Sequence, residues 1–366
     1  MPSVNANKNQ AGRPTPKTRR PRSTLLQIAQ ACDISIATVS RVLNEPHIVK
    51  ADTRKHVLAA LREAGYYNRL AHLNALEAGQ RPALGMIASR PADPLFLHSV
   101  SILEYAAQQN GYDLHLAFSG LEPEREFALL QRFQSYGISA IALFMSSSAC
   151  EESLAKLRGE TPHCLFLWDR PKDKRFSYIG IDTTQMTINA MRYLLSLGHR
   201  RIGLVVSLYK EGQRHSERIE GYAEALKGYG VSFDPDLISP LPNDPNLTTE
   251  PQDIGRIATN KLLLLPRRPT AILYVSDALA MGGLIAAQNA GLSVPDQISV
   301  MGMCDSAISP HTRPPLTTIR PPFEEASRLV GSFFEQVSKK ALHAPCQHLL
   351  ETELVIRSSC TNPLVK

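Results

Sequence analysis

Apolar positions near the start of the chain recur at helical spacing. Beyond residue 80 the pattern changes to short unbroken apolar runs separated by amphipathic segments. Leu25, Leu26, Ile28 and Ala29 mark one short helix. Val39, Val42 and Leu43 form the apolar stripe of a second, with Ser35 placed to cap it through its hydroxyl. Cys32-Asp33 fills the turn between them, where Asp tolerates left-handed backbone. The opposite face of the second helix offers Ile36, Ala37, Ser40 and Arg41, small or reaching groups of the kind that read base edges in a major groove. A third helix is predicted over 53–64, stopped by Gly65. Helix, tight turn, helix is the form of a helix-turn-helix, and an ordinary helical hairpin is the plain alternative.

Later in the chain, strands are predicted at 84–88, 113–117, 140–144, 163–167 and 178–181, then at 201–206, 271–275, 298–303, 317–319 and 354–356. Helical patterns lie between them at 97–109, 124–136, 184–197, 217–229, 278–290 and 323–340. Gly111, Gly137, Gly198, Gly230 and Gly291 stand where helices must stop in a left-handed residue. This alternation means parallel sheet covered on both faces, and the strands are too many for one compact sheet.

Composition changes the picture mainly at the N-terminus. Residues 1–23 hold Lys8, Arg13, Lys17, Arg19, Arg20 and Arg22 without one acid, so the net charge of +6 belongs to this Pro- and Asn-rich segment. It reads either as a solvated leader or as a disordered arm that adds phosphate contacts and enters a minor groove. A hydrophobic fraction of 43 % is ordinary for a soluble chain, and no apolar run approaches the ~20 residues of a membrane span. The first residues lack the apolar core of a secretory signal. Six scattered cysteines without a C-x-x-C pair read as reduced thiols, not as a disulfide or zinc framework.

The run from Thr24 to Gly79, through Thr38-Val39-Ser40-Arg41-Val42-Leu43-Asn44, Thr53-Arg54, Val57 and Ala64-Gly65-Tyr66, resembles the headpiece of the lac-repressor (LacI/GalR) family of transcriptional regulators. The later stretches Asp93-Pro94-Leu95-Phe96, Leu197-Gly198-His199-Arg200-Arg201-Ile202 and Arg218-x-x-Gly221-Tyr222 resemble the effector-binding core of the same family, itself similar to periplasmic sugar-binding proteins. So do Ser276-Asp277, Gly291-Leu292-Ser293-Val294-Pro295-Asp296, Pro314-Pro315-Leu316-Thr317-Thr318-Ile319 and Glu353-Leu354-Val355-Ile356-Arg357. The resemblance implies an all-α helix-turn-helix headpiece followed by an α/β periplasmic-binding-protein-like core of two doubly wound parallel-sheet subdomains. The expected boundaries are an arm at 1–23, a headpiece at 24–67, a hinge and linker at 68–82, a core at 83–359 and a tail at 360–366. Within the core, one subdomain takes 83–180 and 320–347 and the other 181–318 and 348–359, with crossings near Ile181, Ile319 and His348.

The resemblance also assigns roles. Ile36 and Ala37 would choose the operator and Arg41 would take a guanine, since its fork bonds both acceptors of that base. Ser35, Thr38, Ser40, Asn44, Thr53 and Arg54 would contact phosphates and fix register, although Thr38 and Ser40 could serve only the helix. Leu76 takes the place of the hinge wedge that opens a minor groove, with Leu73 as its rival and an unstructured linker as the alternative. Three departures mark this hinge: an interval from Gly65 to Gly79 one residue longer than usual, no Pro after Gly-Tyr, and Asn74 where an Arg is customary. In the core, Phe96 would supply a stacking surface, Asp169 and Arg218 would grip hydroxyls or a carboxylate, and Ser276 and Asp277 would occupy a common Asn-Asp position. Cys304 replaces the first acid of a Gly-hydrophobic-Asp-Asp motif, which points to an altered, more anionic ligand. Trp168 lines the pocket or fills the core.

The expectation is therefore a sequence-specific repressor, cytoplasmic and nucleoid-associated, that binds a near-palindromic double-stranded operator as a homodimer under control of a sugar, sugar acid or sugar phosphate. No metal or other cofactor is called for. Nine residues follow Arg357 without a heptad, which argues against a tetramer-forming coiled coil. The rival readings are a small-molecule-binding protein and a sugar-modifying enzyme. Against an enzyme, the chain holds no G-x-G-x-x-G after a strand, no G-x-x-x-x-G-K-[ST], no G-x-S-x-G and no H-E-x-x-H.

Overall fold

The computed structural model describes residues 25–44, 48–64, 81–89, 94–120, 122–144, 146–147, 149–157, 162–206, 213–240 and 250–363. The chain divides into two compact units, Met1–Tyr66 and Tyr67–Lys366. The basic arm and the hinge positions Leu73, Asn74 and Leu76, with Gly65 and Gly79, lie outside the described residues.

In the first unit, α1 (Leu25–Ala31), α2 (Ile36–Asn44) and α3 (Ala51–Glu63) pack on a small core. Ile28, Ala29, Cys32, Val39, Val42, Leu43, Val57 and Leu61 fill it, none more than 8 % exposed. The turn between α1 and α2 closes through Ile34 N donating to Ala29 O at 3.0 Å, and Asp33 takes the left-handed conformation there, φ 52°. Ser35 Oγ accepts from Thr38 N at 3.1 Å, the cap that the sequence predicted for α2.

The second unit carries a six-stranded parallel sheet of order β11-β5-β4-β3-β1-β2 among the described residues. Its strands are β1 (Ala83–Ala88), β2 (Asp113–Phe118), β3 (Ala140–Phe144), β4 (His163–Trp168), β5 (Ser177–Ile181) and β11 (Gln347–Leu350). Helices α4 (Pro94–Gln109), α5 (Pro123–Ser135), α6 (Cys150–Lys156) and α11 (Phe323–Ser338) belong with it. A second parallel sheet has the order β7-β6-β8-β9, from β6 (Ile202–Val206), β7 (Ile238–Pro240), β8 (Ala271–Tyr274) and β9 (Ser299–Met301). Helices α7 (Thr183–Ser196), α8 (Gln213–Gly228), α9 (Pro251–Leu263) and α10 (Asp277–Asn289) pack around it. The inner strands are apolar runs; every residue of β3, β6 and β8 is buried, as expected of a sheet covered on both faces.

Two crossover strands, β10 (Thr318–Arg320) and β12 (Glu353–Val355), pair with each other antiparallel and belong to neither large sheet. The first change of sheet follows Ile181, where β5 gives way to α7, capped by Asp182 accepting from Gln185 N at 2.8 Å. The last lies at residues 351–352, because β11 runs to Leu350 in the first sheet, past the crossing expected near His348.

Strands β7 and β11 and helices α6 and α9 were not foreseen. Both strands are sheet edges of three and four residues. The helical signal of α9 is broken by Gly255, which is there because α9 and α10 touch backbone to backbone. A Cβ on Gly255 would overlap the carbonyl of Leu279, and one on Gly282 the carbonyl of Gln252.

Candidate functional site

The headpiece separates packing from exposure along one helix. Val39 and Val42 are 0 % exposed, whereas Ile36 is 45 % exposed and Ala37 and Arg41 stand on the outer face. Thr38 and Ser40 are half-buried; the Thr38 hydroxyl also bonds Ser35 Oγ at 2.9 Å, so this pair serves the helix start. In α3, Thr53 and Arg54 lie half-buried in the first turns, and the amide of Arg54 donates to Lys50 O at 2.9 Å. The side chain of Asn44 lies outside the described residues. A face of isoleucine, alanine and arginine held on a rigid apolar stripe can offer methyl contacts and a bidentate fork to base edges.

In the core, Asp169, Ser276 and Cys304 follow the C-terminal ends of β4, β8 and β9, the edge where open parallel sheets take ligands. Asp169 follows β4, is half-buried, and accepts from the amide of Ser146 at 3.2 Å. Arg218 lies half-buried on α8. Ser276 caps α10 by accepting from Leu279 N at 3.3 Å.

Phe96 is not a free stacking surface. Its ring is 6 % exposed and packs on Phe118 and Phe144, with centroids 5.5 and 6.1 Å away, because α4 turns this side chain into the core. Trp168 is also core: it is 0 % exposed, its indole N–H donates to Ser99 Oγ at 2.7 Å, and its ring stands edge-on to Phe323. Phe323 in turn stacks on His98 at 4.1 Å, an aromatic pair that helical spacing did not single out.

Asp277 likewise points inward, not to a ligand. It is 0 % exposed and accepts from Thr318 Oγ1 (2.6 Å), Ser309 Oγ (2.7 Å) and the amide of Ser306 (2.6 Å). Burial pushes its carboxyl up to about 6, against the pull of these hydrogen bonds. Cys304 is 9 % exposed, adopts φ 103°, and its amide donates to Ile319 O at 2.8 Å. Its neighbour Asp305, which sequence reasoning passed over, joins Arg320 and Arg357 in an ion-pair cluster. Those partners lie 15 and 52 residues away, and no local periodicity connects them. Among the described residues no group of three or more His, Cys, Asp or Glu could hold a metal ion. No described helix is long and apolar enough to cross a membrane.

An exposed helix face on a three-helix unit, followed by a two-sheet α/β unit, is the arrangement of DNA-binding transcription regulators with a periplasmic-binding-protein-like core. Comparison with known proteins supports this at both ends. The model of bacterial regulatory proteins of the lacI family matches residues 24–68, and that of the periplasmic binding protein-like domain matches 191–360. In its N-terminal unit the chain is similar to the lacI family of regulators. It is 28 % identical over 344 residues to the HTH-type transcriptional repressor CytR of Escherichia coli (strain K12), covering 94 % of this chain and 98 % of that one. It is also 28 % identical to the HTH-type transcriptional repressor PurR of Pasteurella multocida, covering 93 % of this chain and 100 % of the relative. Among solved structures, a complex of the transcriptional regulator CelR with cellobiose superposes with a TM-score of 0.65 at 26 % identity, over 93 % of this chain and 100 % of that one. These relatives are transcription regulators, not enzymes.

Proposed function

We propose that the protein is a repressor that binds a near-palindromic operator as a homodimer and is controlled by a small sugar-like, sugar-acid or sugar-phosphate effector held between the two sheets of the core. The observation that carries this reading is the outer face of α2: Ile36, Ala37 and Arg41 exposed over a fully buried Val39–Val42 stripe. Arg41 reads a guanine and Ile36 a thymine methyl, while Ser40, Asn44, Thr53 and Arg54 hold phosphates and Leu76 is the hinge wedge.

The homodimer is supported by apolar side chains left on the surface of the core. Leu97 (71 % exposed) and Tyr105 (61 %) lie on one stripe of α4, and Leu116 (40 %) stands on the edge strand β2. Ile257 and Ile285 are exposed on the packed pair α9 and α10. For the effector, Asp169, Arg218, Ser276 and Cys304 are the contacts, and Phe96 and Asp277 support them from behind. A thiol at Cys304 accepts hydrogen bonds poorly, which favours a ligand bearing its own negative charge opposite Arg218.

Selection from a random-sequence duplex library with the full chain at moderate salt tests the reading. An enriched inverted repeat is the expected result; a pool without a shared motif contradicts it. A thermal-shift screen of sugars, sugar acids and sugar phosphates tests the effector class, since a ligand at 100 times its dissociation constant adds about 2.7 kcal/mol to native stability.

A further inference from the structure

The joint between the two sheets of the core is wired through two inward-facing carboxylates. Asp277, from the first turn of α10, grips the turn that follows β9 through the Ser306 amide and the Ser309 hydroxyl. It also takes the hydroxyl of Thr318 in the crossover strand β10. Thr318 Oγ1 also accepts from the backbone amide of Asp305 at 3.3 Å, so the one hydroxyl joins the Asp277 carboxylate to the backbone of Asp305. The Asp305 carboxylate, 9 % exposed, then reaches the other way. Its Oδ2 accepts from Arg320 Nε at 2.6 Å in β10, and its Oδ1 from Arg357 Nη2 at 2.7 Å, just past the crossover strand β12. Arg320 crosses the antiparallel pair to Glu353 Oε2 at 3.1 Å, opposite it in register. Arg357 is only 15 % exposed and gives a further hydrogen bond to Leu316 O at 2.7 Å.

Cys304 and Asp305 both hold positive φ, 103° and 43°, conformations that ordinary side chains adopt rarely. The turn is therefore fixed by its partners and not by its own preference. On one side Met303 O, just before it, accepts from the amide of Asp277, next to Ser276, at 2.9 Å; on the other it is bolted to two crossover strands.

We propose that Asp305 is the positioning residue that couples the effector site to the crossover strands, so that a ligand touching Cys304 or Ser276 changes the relative setting of the two sheets through the Arg320 and Arg357 contacts. This rests on the reading that the effector sits between the two sheets. An acid held by two guanidiniums transmits displacement in either direction, because the 9 % exposed carboxylate loses one of its two charged partners whenever either contact slips.

The test uses the full-length chain with spin labels introduced through p-acetylphenylalanine at Glu124 and Asp253. These are exposed first-turn positions of α5 and α9, on opposite sheets. Pulsed electron resonance gives the distance distribution for the unsubstituted chain, for Asp305→Asn and Arg357→Met, and for Lys339→Gln as a control on the exposed Lys339–Glu335 pair. Measurements are made where circular dichroism shows each variant fully folded. Asp305→Asn and Arg357→Met are expected to add a second, displaced population, and the control is not. On the duplex selected by the unsubstituted chain, both variants should change affinity about fivefold or more while binding to a scrambled duplex stays the same. A lowered melting temperature with an unchanged distance distribution and less than about twofold change in operator affinity would mean a merely structural role and overturn the proposal. If Asp305→Asn does not fold, Arg320→Met, cut from the more exposed partner, decides by the same readouts. If no duplex is selected, the operator reading fails while the distance measurement still decides this one.

Discussion

Helix α2 and the strand-end edge of the core handle candidate residues in opposite ways. On α2 a period of 3.6 sends Val39 and Val42 inward and Ile36, Ala37 and Arg41 outward, so packing and recognition never compete for one side chain. At the strand ends of the core no such period operates. In the first turns of the helices α4 and α10 that follow them, Phe96 and Asp277, placed by resemblance at a ligand, face the interior. A face repeated along a helix can be assigned from spacing; a single first-turn residue at a sheet edge needs its distant partners first.

The largest effect expected from this contrast is in the core. Gly282→Ala drives a methyl into the Gln252 carbonyl, and backbone cannot move aside as a side chain can. A loss of about 3 kcal/mol is expected, read as a lower calorimetric melting temperature of the core unit. A change within about 0.5 kcal/mol would mean that α9 and α10 are not in backbone contact.

Acid provides the next test. His199 is 1 % exposed, shares hydrogen bonds with Thr270 Oγ1 (2.9 Å) and Ser299 Oγ (3.1 Å), and burial pushes its pKa down to about 4. A histidine whose native pKa lies below its unfolded value stabilises in full above pH 6.5 and loses that contribution as pH falls towards 4. At about 1.4 kcal/mol per pH unit, the loss is about 3 kcal/mol. Asp277 acts with the opposite sign: its raised native pKa makes the fold gain stability as pH falls through about 6. In urea titrations between pH 7 and 4, His199→Gln should remove the acid loss, and Asp277→Asn should steepen it. Identical pH slopes for all three chains would refute both assignments. The headpiece offers a smaller effect. Ser35→Ala removes the α2 cap and should lower headpiece stability by about 1 kcal/mol, measured as faster amide exchange at Thr38 and Val39.

Much of the architecture was legible because its elements repeat their signal. The expected strands all occur, with ends displaced by two residues at most, and the glycines read as helix stops, such as Gly198 and Gly291, do take positive φ. Strand β11 was hidden because an edge strand reading Gln-His-Leu-Leu shows no alternation, and its pairing with β5 joins residues about 170 apart in sequence. The site in the core was less legible for the same reason. Asp305, Arg320, Glu353 and Arg357 acquire meaning only when β10 pairs with β12, and the inward turn of Asp277 depends on Thr318, 41 residues away.

That the exposed face of α2 reads sequence is decided at Arg41. Binding of the unsubstituted chain and of Arg41→Ala should be compared on the selected operator and on duplexes changed at single base pairs. Discrimination should fall by about 1–3 kcal/mol at one guanine of each half-site and stay unchanged at the other positions. A uniform loss of affinity on every duplex, scrambled DNA included, would make Arg41 a phosphate contact and contradict the claim.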